Sequence, residues 1–121
     1  MRIVLLFIVL AAVNGCDLSN DERFSPMPAE AIQGISITDK VVTINAVFSA
    51  PTPCWHYYKS ETSGNDSLLI LKVIARDKSE VCAAVISSFV HEEIVNFNSY
   101  GSKTIKLWQN DSTFLDTTII L

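Results

Sequence analysis

Cations, glycines and histidines are all scarce in this sequence, and each shortage closes a class of function. Nine Lys and Arg stand against 13 Asp and Glu, a formal charge of −4. No basic stripe is available to neutralise phosphates and release counterions, which argues against nucleic-acid binding. The two histidines, His56 and His91, lie among scattered carboxylates and make no metal-ligand spacing. With four glycines in all, no Gly-rich phosphate loop can be assembled. Charged residues are 18% of the chain and hydrophobic residues 49%, which argues against a disordered polymer. At 121 residues there is room for one core, but not for two domains and a linker. The longest apolar run, 3–13, falls well short of the about 20 residues needed to span a bilayer.

That run is nevertheless the first informative feature. It follows a single cation, Arg2, and ends in Asn14-Gly15-Cys16. A charged start, a short apolar stretch and a small residue before the cut are the parts of a secretory signal. Val13-Asn14-Gly15-Cys16 resembles the bacterial lipobox, in which the Cys is diacylated and becomes the new N-terminus. Asn14 departs from the pattern, where a small or hydroxyl residue is commoner. The plainer alternative is an ordinary signal cut nearby, with Cys16 a stray thiol. Two or three acyl chains on Cys16 would make a stable membrane anchor where one would not.

Removing residues 1–15 leaves about 106 residues, about 44% apolar. Residues 16–31 then read as the acylated Cys and a flexible tether, with Asp17, Asp21, Glu22, Glu30, Pro26 and Pro28 and no sustained period. Acidic residues after an acylated Cys resemble the export signals that carry some Bacteroidetes lipoproteins to the cell surface. An Asp directly after the Cys resembles an inner-membrane retention signal of enterobacteria. The expected location is the cell envelope, with the outer membrane or cell surface favoured over the inner membrane.

Residues 32–121 read as one all-β domain. Val42, Ile44, Ala46 and Phe48 alternate with polar neighbours, the period of a half-buried strand. Ala50-Pro51-Thr52-Pro53 stops that strand, and a second runs over 55–61. The stretch 67–76 is apolar on both faces, as expected of a central strand. The segment 82–97 is too long for one straight strand and is expected to break near 88–91. Asn110-Asp111 offers a hairpin connection between 103–109 and 113–121. Seven or eight strands at about ten-residue spacing predict an antiparallel sandwich.

In an exported protein with Cys16 acylated, Cys54 and Cys82 form an even pair suited to a disulfide. The closed loop would contribute roughly 3–4 kcal/mol by the loop-entropy argument. A strand, then Pro51-Thr52-Pro53-Cys54, two strands, Cys82 and a closing hairpin, all behind a lipobox, resemble small uncharacterised bacterial lipoproteins with an immunoglobulin-like sandwich. The pair does not match the immunoglobulin core disulfide, which joins mid-strand positions around a Trp. The resemblance implies a fold and a location, with no activity attached.

Catalytic motifs are incomplete. His91-Glu92-Glu93-Ile94-Val95 begins like the zinc metallopeptidase motif, but Val95 stands where the second His is required. Cys54 and His56 could pair as thiol and imidazole, yet a disulfide would consume the thiolate. Gly34-Ile35-Ser36 is half of a nucleophile elbow, with Thr38 at the second glycine position. Glu92 and Glu93 project to opposite faces of a strand. The reading is therefore a non-enzyme with no cofactor, no metal and no catalytic residues.

Binding is the better prospect. Trp55, His56, Tyr57 and Tyr58 are four consecutive rings, Trp55 and Tyr57 on one face and His56 and Tyr58 on the other. Trp108 lies opposite Ile105 and Leu107 and is expected outward. Trp55, Tyr57, Tyr58 and Trp108 are the candidate ligand contacts, by stacking on sugars or anchoring a protein. The plain alternative packs Trp55 beside the disulfide and Trp108 over a sheet edge. Asp66-Ser67-Leu68, Asp111-Ser112-Thr113 and Asp116-Thr117-Thr118 resemble a Bacteroidetes O-glycosylation signal. Asn65 and Asn110 fit the eukaryotic N-glycan rule equally. Three functions follow: a membrane-tethered interaction module with a protein or glycan partner, an extracytoplasmic peptidase inhibitor, or a carbohydrate-binding module. The inhibitor reading would use the loops 50–53, 62–66 and 98–101.

Overall fold

The computed structural model describes residues 22–78 and 81–121, and these form eight strands and no helix. They are β1 (Arg23–Met27), β2 (Ala29–Thr38), β3 (Val41–Ala50), β4 (Trp55–Gly64), β5 (Leu68–Asp77), β6 (Ser87–Asn96), β7 (Ser102–Asn110) and β8 (Thr113–Ile120). The signal segment and Cys16 lie outside the described residues.

Two sheets share one core. Sheet A places β5 at its centre, with β4 along one side and both β1 and β7 along the other, and β8 beyond β7. Sheet B has the order β2-β3-β6. The alternation read from the sequence is present: Val42, Ile44, Ala46 and Phe48 of β3 point inward. They meet Leu71 and Val73 of β5 and Ile105 and Leu107 of β7 in one apolar cluster. Fully burying each Val, Ile, Leu or Phe among them contributes about 1.5–3 kcal/mol. Flanked on both sides, β5 is the central strand that its two-sided apolar pattern predicts.

Three expectations need correction. The folded part starts before residue 32, since β1 and the start of β2 occupy what reads as tether. Pro28 sits between those strands, at the point where the chain leaves sheet A for sheet B. A proline, having no N–H to donate, is tolerated at such a switch. The segment 82–97 holds one strand rather than two: β6 runs unbroken through 88–91, all ten residues paired with β3. Residues 81–86 are an irregular connection.

The sandwich is also not purely antiparallel, because β5 and β7 pair in parallel. The reason is a count of reversals. The chain crosses to sheet B as β6, running opposite to β5, and returns to sheet A as β7, running the same way as β5.

The two ends differ in chemistry. At the disulfide end, Cys54 and Cys82 are bonded with Cα atoms 5.8 Å apart. The buried Asp77 there pairs with Arg23, whose guanidinium also lies 5.5 Å from the Trp55 ring. At the opposite, turn end, the connections 38–41, 64–68 and 97–102 gather. The Lys40 carbonyl accepts the Phe97 N–H at 2.9 Å, and Asp39 accepts the Tyr100 hydroxyl. Gly64 is required where it stands. Its φ is +112°, and a Cβ there would lie 2.0 Å from the Leu68 carbonyl oxygen.

Candidate ligand-binding face

The outer face of sheet A collects aromatic rings from four strands. A bulge in β4 is what aims two of its residues there. Tyr57 pairs with Ala75 and Lys59 with Ile74, leaving Tyr58 as the extra residue. Tyr57 therefore stays on the inner side, while Tyr58 and Lys59 both reach the outer face. The Tyr58 ring, 45% exposed, packs 4.8 Å from Phe24 of β1 and lies 5.1 Å from the Arg76 guanidinium.

Across the sheet, Trp108 of β7 pairs with Phe114 of β8. Lys72 lies 5.4 Å over the Trp108 ring, and Lys106 lies 5.6 Å from Phe114. The face thus alternates rings with cations. Each cation–ring contact is worth about 0.5–1 kcal/mol at an exposed site. Carboxylates balance the cations: Arg76 with Glu22 at 3.6 Å, Lys59 with Glu61 at 3.6 Å, Lys106 with Asp116 at 3.9 Å. Two open hollows lie along this face. One, of about 460 Å³, lies among Glu61, Ser63, Ile70, Lys72, Trp108 and Phe114. The other, of about 420 Å³, lies among Phe24, Pro26, Tyr58, Lys59, Glu61 and Ile74. Glu61 borders both.

A second polar group sits where the edges of β4 and β6 meet. The Tyr57 ring stacks on His91 with centroids 3.9 Å apart and planes 13° from parallel. Ser60 Oγ donates to Glu93 Oε1 at 2.7 Å, and Tyr57 Oη lies 2.8 Å from Ser60 Oγ. His91 Nε2 also lies 2.7 Å from Glu93 Oε1. Ser, His and carboxylate are together, but not as a relay. In a catalytic triad the imidazole stands between the hydroxyl and the acid, and here the acid receives both. His91 Nε2 is 3.5 Å from Ser60 Oγ. What the group does is place polar side chains on the inward side of an edge strand, a device that discourages pairing with another chain.

At the turn end, Lys103 is buried, its side chain 2% exposed. Its ammonium donates to the Asp66 carbonyl at 2.7 Å, to Asp66 Oδ2 at 3.0 Å and to Ser99 Oγ at 2.9 Å. Ser99 donates in turn to Asp66, as does the Asn98 N–H at 2.6 Å. Hydrogen bonds from Ser99, Asn98 and Lys103 hold the Asp66 carboxyl well below the usual carboxylate range.

The sequence-predicted contacts separate into three environments. Trp55 is core, 9% exposed, at the disulfide end. Tyr57 belongs to the β4–β6 edge cluster. Tyr58 and Trp108 share the outer face of sheet A, Trp108 by the alternation of its strand and Tyr58 at the β4 bulge. Phe24, Lys72, Arg76, Lys106 and Phe114 were not legible as partners. Phe114 could have been found, since the hairpin turn at Asn110-Asp111 sets it near Trp108. Phe24 could not, because its strand reads as tether. The three loops of an inhibitor surface do not share one end: 62–66 and 98–101 meet at the turn end, while 50–53 lies at the disulfide end. Among the described residues no cluster of three or more His, Cys, Asp or Glu is arranged to hold a metal ion. No protein-family model matches this chain, and neither a curated protein nor a solved structure matches it.

Proposed function

We propose that this protein is a lipid-anchored module of the bacterial cell envelope that works by binding rather than catalysis. Its ligand surface is the outer face of sheet A. The observation that carries the reading is the row of rings and cations, Phe24, Tyr58, Arg76, Lys72, Trp108 and Phe114, beside two open hollows. Rings held in place by neighbouring cations lose little freedom on binding, which favours their use as anchors. The eight strands in two sheets support an immunoglobulin-like sandwich as the scaffold. The anchor rests on the lipobox-like Val13-Asn14-Gly15-Cys16. Mass spectrometry of the protein purified from membranes should find diacylglycerol on Cys16; a free N-terminus elsewhere would remove the anchor.

A carbohydrate ligand is the reading favoured next, because Tyr58 and Trp108 lie on one face with carboxylates and ammonium groups of both signs around them. Such a surface can stack on sugar rings and hydrogen-bond their hydroxyls. A glycan array and tryptophan fluorescence titrations test it. Binding that disappears in Trp108→Ala and Tyr58→Ala, with the fold intact, supports the face. Binding unchanged in both variants refutes it. The inhibitor reading gains less from the structure, its three loops being divided between two ends.

A further inference from the structure

The disulfide end carries an apolar segment that neither sheet covers. Val81-Cys82-Ala83-Ala84-Val85-Ile86 is six apolar residues in a row, in the connection between β5 and β6. Val81 is 102% exposed, Ile86 81% and Val85 54%. A folded domain gains by burying such side chains, so a contiguous exposed set marks a contact surface. The segment is held in place. Cys82 is bonded to Cys54, the Val85 N–H donates to the Ala83 carbonyl at 2.9 Å, and Ser87 is already paired with Ala50. Ile86 also borders an open hollow of about 370 Å³ among Pro26, Met27, Pro28, Ala50 and Pro51.

The chain enters the fold at this same end. Arg23 opens β1 opposite Asp77, the last residue of β5. Cys16 precedes Glu22 by six residues, which span at most about 22 Å when fully extended. A lipid on Cys16 would therefore hold the disulfide end against the membrane. The turn end would stand off by the length of a ten-residue strand, about 33 Å.

We propose that Val81, Val85 and Ile86 dock on the bilayer as a second, non-covalent membrane contact beside the lipid on Cys16. The inference rests on the acylation reading above. Apolar side chains entering the headgroup boundary add to the lipid's own hold. Lys78, the exposed residue just after β5, offers a cation to lipid phosphates. So seated, the sandwich stands on the membrane with its strands upright, and the ring-bearing face looks sideways into the envelope.

The test uses the full chain expressed in a bacterial host, extracted from membranes and reconstituted into phosphatidylethanolamine–phosphatidylglycerol vesicles containing a photoactivatable phospholipid. Fragment mass spectrometry should place lipid adducts within 81–86, at least ten-fold above the turn-end fragments 38–41 and 97–102. The Val81→Asp/Ile86→Asp variant, folded by circular dichroism, should lose those adducts ten-fold or more. Adducts absent from 81–86, spread evenly, or unmoved by the variant overturn the proposal, as does a protein–protein cross-link through this segment. The same spectra read the mass of Cys16. If it carries no acyl group, both proteins are coupled through Cys16 to a maleimide phospholipid in the same vesicles and scored alike. Loss of the acylation reading and loss of the docking surface are thereby told apart.

Discussion

The Lys103 ammonium contacts Asp66 twice, at the backbone carbonyl 2.7 Å away and at carboxylate Oδ2 3.0 Å away. Ser99 takes the third proton, so the buried cation spends all its donors within one turn cluster. The two partners are not equivalent. Asp66 is within reach of water, whereas Lys103 is enclosed. Asp66→Ala takes the counter-charge from a buried cation, leaving it the residue-66 carbonyl and Ser99 as acceptors, while Lys103→Met leaves a carboxylate that water can solvate. Asp66→Ala should therefore lower the thermal midpoint more than Lys103→Met. Equal midpoints by circular dichroism would refute the asymmetry.

The same carboxylate predicts how acid acts on the fold. Hydrogen bonds hold the Asp66 pKa below its unfolded value of about 3.9. A depressed folded pKa gives stability that is complete above the unfolded value and is lost as pH falls toward the folded one. Parent protein should thus lose stability on going from pH 5 to pH 2 more steeply than Asp66→Ala. Parallel acid limbs in the two urea-denaturation series would count against this role.

The disulfide joins residues 28 apart in sequence. Replacing both Cys54 and Cys82 with Ala should cost about 3–4 kcal/mol by loop entropy, seen as a lower urea midpoint with a similar slope. A loss under about 1 kcal/mol would mean that the unfolded chain is already compact across this loop.

Two glycines should respond oppositely to the same change. Gly64→Ala drives a methyl into the Leu68 carbonyl at φ +112° and should destabilise by well over about 1 kcal/mol. Gly34 of β2 has nothing within 4 Å of an added Cβ. Gly34→Ala should be neutral or stabilising, by up to about 1 kcal/mol. Chemical denaturation of the pair decides, and a Gly64→Ala protein as stable as the parent would refute the strain.

The β4–β6 edge cluster predicts solubility more than stability. His91→Val with Glu93→Val replaces inward polar groups on an edge strand with β-branched apolar ones. The double variant should scatter light at concentrations where the parent stays monomeric. A variant as monodisperse as the parent in size-exclusion chromatography would remove this role from His91 and Glu93.

How far the sequence could be read follows from the range of each signal. The alternation in β3 and the two-sided pattern in β5 are local: the first gave the strand and its inward face, the second the strand and its central place but not which face is inward. Trp108 was legible as outward for the same reason, whereas alternation put Tyr58 opposite Trp55 and Tyr57 without saying which face was exposed. Whether Trp108 and Tyr58 shared a sheet was not legible, because that depends on β6 being in the other layer. The β4 bulge at Tyr58 leaves no mark in the residue order, since Trp55-His56-Tyr57-Tyr58-Lys59 alternates well enough without it. The first strand was hidden by composition. Arg23-Phe24-Ser25-Pro26-Met27 carries a proline and a charge, and only edge pairing with β5 makes it a strand. The Lys103 latch was invisible, because no local pattern says that one lysine among nine cations will be enclosed.

The parallel pairing of β5 with β7 also fixes an order in time. During synthesis β5 emerges with its hairpin partner β4 and with β1 already made, but the flank over 68–71 stays bare until 104–107 follows. Leu71, fully enclosed in the finished fold, would meet water from that side for the whole interval. A ribosome-bound chain ending before Ser102 should therefore remain open to a chaperone, and the domain should close only when residues 102–121 are free.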